Sequence, residues 1–222
     1  MKSETIENKE LAAAIDHTLL RADATAEQIT VLCSEAKRHG FASVCVNPGW
    51  VRLCADNLRG SGVKVCAVIG FPLGSTSTES KAAEASVAIK DGAEELDMVI
   101  NIGRLLGDDR QFVRDDIKAV TEAAGGMPVK AIIEICYLSD EKIITACRLA
   151  LEAGAAFVKT STGFGSGGAT EHAVRLMRRT VGPDIGIKAS GGIKTKADAL
   201  KMLNAGASRI GTSAGVAIIG GT

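Results

Sequence analysis

Short aliphatic stretches alternate with helical patterns along the whole chain, and this alternation limits the folds open to it. The stretches cover residues 12–20, 43–47, 63–71, 95–101, 129–135, 157–161, 185–190 and 209–213. Between them run segments with apolar residues at helical spacing, such as Ile143, Ala146, Cys147 and Ala150. Thr25 and Gln28 form a capping-box pattern ahead of one such segment, and Gly40 ends it. Three helix-to-strand junctions share a Gly-Ala pair, Gly92-Ala93, Gly154-Ala155 and Gly206-Ala207. Strands rich in Val, Ile and Ala with helices between them make a parallel sheet. Closed on themselves, eight such units give a (β/α)8 TIM barrel of the α/β class. A single domain over residues 1–222 is expected, with residues 1–10 as a polar lead. The rival is an open, doubly wound sheet of seven units. No G-x-G-x-x-G follows the first strand, which speaks against a dinucleotide-binding version of it.

The alternation also sorts side chains, because successive residues of a strand point to opposite faces. Lys159 shares a face with Phe157 and Ser161, and Lys188 shares one with Gly186 and Ser190. Asp16, Asp97 and Glu134 each oppose aliphatic neighbours. The expected inward set is therefore Asp16, Asp97, Glu134, Lys159 and Lys188. A buried ion network that only fixes packing is the plain reading, but buried pairs are weak stabilisers. In a barrel, polar groups near the C-terminal strand ends belong to the active site. Gly163, Gly191, Gly192 and Gly211 follow the last three strands, with Ser190, Thr212 and Ser213 beside them. Loops at those places bind phosphate through backbone N–H groups, and glycine lets the backbone come close.

A strand lysine in an enclosed polar pocket is a Schiff-base candidate. At its ordinary pKa of about 10.4, only about one molecule in two thousand carries the nucleophilic amine at neutral pH. Desolvation and a neighbouring cation both favour the neutral form, and Lys188 is placed to supply the cation for Lys159. Asp97 is then placed to move protons.

IDHTLL from Ile15, ELDMVIN around Asp97, FVKTSTGF around Lys159, IKASGGI around Lys188 and RIGTSAG near the end together resemble the deoxyribose-phosphate aldolases of the short bacterial type. The resemblance runs from about residue 15 to about residue 219. It implies reversible cleavage of 2-deoxy-D-ribose 5-phosphate to D-glyceraldehyde 3-phosphate and acetaldehyde, without metal or other cofactor. By similarity Lys159 forms the Schiff base, Lys188 perturbs it and Asp97 relays protons. Gly163, Gly191, Gly192, Gly211 and Ser213 match phosphate-loop positions; Asp16 and Glu134, read from alternation alone, are expected as a supporting polar network. The resemblance further implies deoxynucleoside breakdown in the cytoplasm and a homo-oligomer, a dimer. Two departures stand out. Ala214 occupies a place where family members often have a second serine, and the only tyrosine is Tyr137, whereas some members carry one in a C-terminal tail.

Composition closes off other classes. Basic and acidic residues number 26 each and aromatics make up 3%, a poor match for nucleic acid or an anionic membrane. No apolar run is long enough to cross a bilayer, and the start of the chain lacks the apolar stretch of a signal peptide. Six cysteines without a CxxC pair read as a reduced, cytoplasmic chain. His17, His39 and His172 lack metal-ligand spacing. Cys45 reads as a small core filler and Glu84 as solvated surface. Two other functions stay open on the residues alone: a phosphate-binding barrel with a plain acid–base pair, and a sugar-phosphate sensor.

Overall fold

The computed structural model describes residues 8–220. Eight parallel strands, β1 (Ile15–Leu19), β2 (Ser43–Val46), β3 (Lys64–Ile69), β4 (Glu95–Val99), β5 (Val129–Ile132), β6 (Phe157–Lys159), β7 (Gly186–Ser190) and β8 (Arg209–Thr212), pair in sequence order. The last pairs back to the first, so the sheet is a closed barrel. The expected TIM barrel is present and the open sheet is not.

The strands are shorter than their aliphatic runs, mostly at the C-terminal end. Residues beyond the ends, such as Ile100, Ile133, Thr160 and Ser161, stay buried under the mouth loops. Burial demands the same composition there as inside a strand, so composition alone does not show where pairing stops. At the other end, the run expected from residue 12 begins as a helix, Asn8–Ala13, which buries Leu11 and Ala12. Residues 8–10 of the polar lead thus belong to a helix, and the rest of the lead lies outside the described residues.

Most of the described helices begin with a side-chain cap that the sequence states. Thr25 caps Ala26–His39 with the reciprocal Gln28 bond, and Gly40 ends that helix at φ 68°. The Gly-Ala junctions act alike. Gly92, Gly154 and Gly206 take positive φ, and the following alanine N–H bonds back to the carbonyl of Ala88, Ala150 or Met202. Each junction turns the chain from a helix end into the next strand at no steric cost.

The main core lies between the outer barrel face and the helices. Val44, Val46, Leu96, Met98, Ala131, Val158, Ile187, Ala189 and Ile210 all pack there, on the face opposite the inward polar residues. A separate, small apolar cluster of Leu20, Cys45, Cys66 and Val68, with Phe71 against it, lies apart from that core. The inward face also carries Phe157 and the charged residues of β1, β4, β5, β6, β7 and β8. Among the described residues no helix is long and apolar enough to cross a membrane.

The outer layer holds one fully buried ion pair, Lys81 Nζ to Asp116 Oδ2 at 2.6 Å, joining helices Thr78–Lys90 and Arg110–Ala123. Lys81 also donates to the Val99 carbonyl at 3.0 Å, and Thr78 donates to Asp116 at 2.9 Å. On the same helix Glu84 accepts from the Gly70 N–H at 2.6 Å, so it braces a mouth loop and is not plain surface. Removing one member of a buried pair strands the other charge, at about 3–5 kcal/mol. Asp116→Ala should lower the unfolding free energy by about that much. Lys81→Met with Asp116→Leu should recover most of the loss, as read by urea denaturation.

Candidate active site

Asp97 stands at the centre of the barrel, fully buried on β4. Its Oδ2 lies 2.8 Å from Lys159 Nζ and 2.7 Å from Lys188 Nζ. Its Oδ1 lies 2.9 Å from Lys130 Nζ. Strands β6 and β7 pair Lys159 with Lys188 in register, which brings both ammonium groups to one oxygen. Asp16 on β1 meets Lys188 at 2.5 Å and Arg209 at 2.6 Å. Glu95 meets Lys130 at 2.6 Å and Arg209 at 3.3 Å. The structure thus brings Asp16, Asp97, Lys159 and Lys188 together on the inward face, where alternation put them.

The sequence reading missed Lys130, Glu95 and Arg209, all of which complete the network. The signal was present. Glu95 has the parity of Asp97, Lys130 lies an even number of residues from Glu134, and Arg209 has the parity of Gly211. Phe157 lies beneath these groups, with its ring 5.8 Å from Lys130 Nζ and 5.6 Å from the Arg209 guanidinium. Gly186 makes room for that ring, which would collide with any side chain there.

Charge decides what each member can do. Four cationic side chains, Lys130, Lys159, Lys188 and Arg209, face three carboxylates, Asp16, Glu95 and Asp97. Lys130, Lys188 and Arg209 each contact two or more carboxylates; Lys159 contacts Asp97 alone, on an oxygen it shares. Burial would push the Asp97 carboxyl up, but Lys130, Lys159 and Lys188 together hold it well below the usual carboxylate range. Burial would likewise push Lys188 down, but Asp16 and Asp97 outweigh it and hold the ammonium well above the usual lysine range. Lys188 therefore stays a cation next to Lys159. Lys159 is the cation least compensated by carboxylate, and it is the member of the network that lines the cavity.

That cavity, of about 390 Å³, opens at the C-terminal end of the barrel. Gly163, Gly191, Gly192, Gly211 and Ser213 all line it, as expected, and so do Arg21, Lys194, Thr18 and Thr162, which the sequence reading did not name. The hydroxyls beside the glycines are largely used within the protein. Ser190 donates to the Ser161 carbonyl at 2.6 Å, Thr160 to the Ser190 carbonyl at 3.1 Å and Thr212 to the Ile193 carbonyl at 2.8 Å. They bind the loops after β6, β7 and β8 to one another. What remains for an anion is backbone N–H, Ser213 and two rim cations. Gly211 has a second reason to lack a side chain, since a Cβ would come within 2.9 Å of Lys188 Cε.

Glu134 is a correction. It does not join the lysine network, because β5 ends at Ile132 and alternation ends with it. Its backbone turns to φ 54°, a left-handed conformation costing a non-glycine residue about 1–3 kcal/mol. The carboxylate accepts instead from the Thr162 N–H, at 3.2 Å to each oxygen, and from the Thr162 hydroxyl.

Cys45, Cys66 and Asp97 are the described residues whose ligand atoms cluster closely enough to hold a metal. Asp97 already serves three ammonium groups, so an entering cation would meet strong repulsion there, and the donor set does not suit one.

The residues from 11 to 220 match the model of the DeoC/LacD family aldolases. The chain belongs to that family. A deoxyribose-phosphate aldolase of Streptococcus uberis is 61% identical over 93% of this chain and 94% of its own length. Deoxyribose-phosphate aldolase 1 of Bacillus licheniformis is 59% identical over 96% of each chain. The tetrameric deoxyribose phosphate aldolase of Aeropyrum pernix superposes with a TM-score of 0.90 at 35% identity, covering 96% of this chain and 91% of that one. The chain is an aldolase, a carbon–carbon lyase, and the sensor reading falls.

Acid should dismantle this centre. The carboxyls of Asp16 and Asp97 are both held low in the folded barrel, so the unfolded chain protonates first as pH falls. Their stabilisation is complete above pH of about 4 and is lost as pH drops through the depressed folded values. Urea midpoints should therefore stay level from about pH 7 to pH 5 and fall below about pH 4, less steeply in Asp16→Asn.

Proposed function

We propose that this aldolase reversibly cleaves 2-deoxy-D-ribose 5-phosphate to D-glyceraldehyde 3-phosphate and acetaldehyde through a Schiff base on Lys159. One observation carries the reading: the least compensated ammonium of the network lines the same cavity as Gly163, Gly191, Gly192, Gly211 and Ser213. A covalent lysine and a built anion site in one cavity suit an aldehyde that bears a phosphate.

The neutral Lys159 amine adds to the aldehyde carbon of the open-chain sugar. Loss of water leaves an iminium. Removal of the proton from the C3 hydroxyl then breaks the C2–C3 bond, releasing glyceraldehyde 3-phosphate and leaving an enamine. Protonation at C2 and hydrolysis by water release acetaldehyde and restore the amine. Asp97, ionised at neutral pH and 2.8 Å from Lys159 Nζ, suits proton acceptance and orientation of the amine. Lys188 keeps its charge and stands as a fixed cation beside Lys159, on the same oxygen of Asp97. The phosphate, held by backbone N–H groups with Arg21 and Lys194 at the rim, fixes the register of the reacting carbons over Lys159. A reduced cytoplasmic setting accords with the six free cysteines. Assembly as a homo-oligomer and a place in deoxynucleoside breakdown belong to the same reading.

Borohydride reduction in the presence of 2-deoxyribose 5-phosphate should leave an adduct on Lys159 by peptide mapping. Lys159→Ala should be folded and inactive; cleavage by that variant, or an adduct elsewhere, refutes the assignment. Lys188→Leu removes the neighbouring cation, so the acidic limb of kcat/KM should move to higher pH. An unchanged profile would show that the two lysines are not coupled.

A further inference from the structure

Glu134 has no part in the lysine network, yet it is almost fully buried and carries a left-handed backbone. All the hydrogen bonds its carboxylate makes go to one residue. Both oxygens accept from the Thr162 N–H, each at 3.2 Å, and Oε2 also accepts from the Thr162 hydroxyl. The Thr162 oxygen in turn accepts from the Phe164 N–H at 3.0 Å, which closes a turn around Gly163. The backbone at the base of Glu134 ties to the same segment, with the Ile135 N–H donating to the Thr160 carbonyl at 2.9 Å. Gly165 passes so close that a Cβ there would lie 3.3 Å from the Glu134 carboxyl carbon.

The braced turn forms one wall of the cavity. Thr162, Gly163 and Phe164 all line it, and Gly163 adopts φ 88°. Phe164 meets Phe71 edge to face across the mouth at 5.2 Å, and that contact alone would leave the turn free to slide. An acceptor holding both donors of Thr162 selects one conformation of the turn and so one direction for the Gly163 N–H at its tip.

From this geometry we infer that Glu134 is a positioning residue for phosphate: it acts through Thr162 to aim the Gly163 turn at the phosphate of the substrate and touches no reacting atom. The inference rests on the reading of this cavity as a phosphate site. It assigns the strained residue after β5 to substrate recognition, at a distance from the chemistry on Lys159. Its specificity is for the phosphate, so its loss should be visible only with ligands that carry one.

The test compares 2-deoxyribose 5-phosphate with 2-deoxyribose in the full chain. Glu134→Gln keeps the shape but puts a donor NH2 where one accepting oxygen stood; Thr162→Val removes the hydroxyl link while keeping Glu134. Both variants should raise KM for the phosphorylated sugar about tenfold or more, with a much smaller change in kcat. The inhibition constant of inorganic phosphate should weaken in parallel. The loss of kcat/KM on unphosphorylated deoxyribose should be several-fold smaller. Equal losses on the two sugars would mean a purely structural brace and would overturn the inference, as would an unchanged KM in both variants. If the unaltered chain cleaved both sugars equally and ignored inorganic phosphate, the phosphate site itself would be refuted and the inference with it. A variant that does not fold is replaced by the other, since each breaks the same chain of bonds at a different link.

Discussion

A carboxylate in the middle of a barrel, Asp97, draws three ammonium groups onto its two oxygens, and the rest of the site depends on that contact. Buried charges are costly unless they are paired and hydrogen-bonded. Here Asp16, Glu95 and Asp97 are shared among Lys130, Lys159, Lys188 and Arg209, so no carboxylate is left alone and one cation is in excess. The excess falls on the side chain that faces the cavity. The lower part of the network thereby fixes charge on Lys188 and Asp97, and Lys159 is the member that meets the cavity.

The cavity divides the work between two kinds of group. Side-chain hydroxyls after β6, β7 and β8 spend their hydrogen bonds on neighbouring loops. Backbone N–H groups and glycine surfaces are what those loops present to a ligand. That division leaves the loop framework independent of the side chain at Ala214, whose N–H donates to the Thr212 hydroxyl at 2.9 Å. Glu134 adds a further restraint to the loop after β6 by accepting both donors of Thr162.

Most of the barrel was legible residue by residue. Thr25 with Gln28, Gly40 and the three Gly-Ala pairs are local devices whose geometry follows from a few consecutive residues. Alternation along β4, β6 and β7 placed Asp97, Lys159 and Lys188 on one face because a strand admits no other arrangement of side chains. Glu134 shows where the rule stops. Its parity was right for a strand, but pairing ended at Ile132, and strand ends are set by the neighbouring strands, which a local pattern does not contain. Lys130 and Arg209 were passed over for a related reason. A lone lysine or arginine at a strand edge looks like surface until the register brings a carboxylate to it.

By itself the sequence determined the succession of strands and helices, the face on which a polar side chain sits within a paired strand and the residue types available for covalent chemistry. These are properties of dihedral preference and two-residue periodicity, and they act over short spans. The tertiary structure alone decided which charges meet. Closing β8 onto β1 brings Arg209 to Asp16, and the in-register pairing of β6 with β7 puts two ammonium groups on one oxygen of Asp97. Coulomb energy depends on distance through space, and residues 91 positions apart in the chain, such as Asp97 and Lys188, come within 2.7 Å only when the barrel is closed.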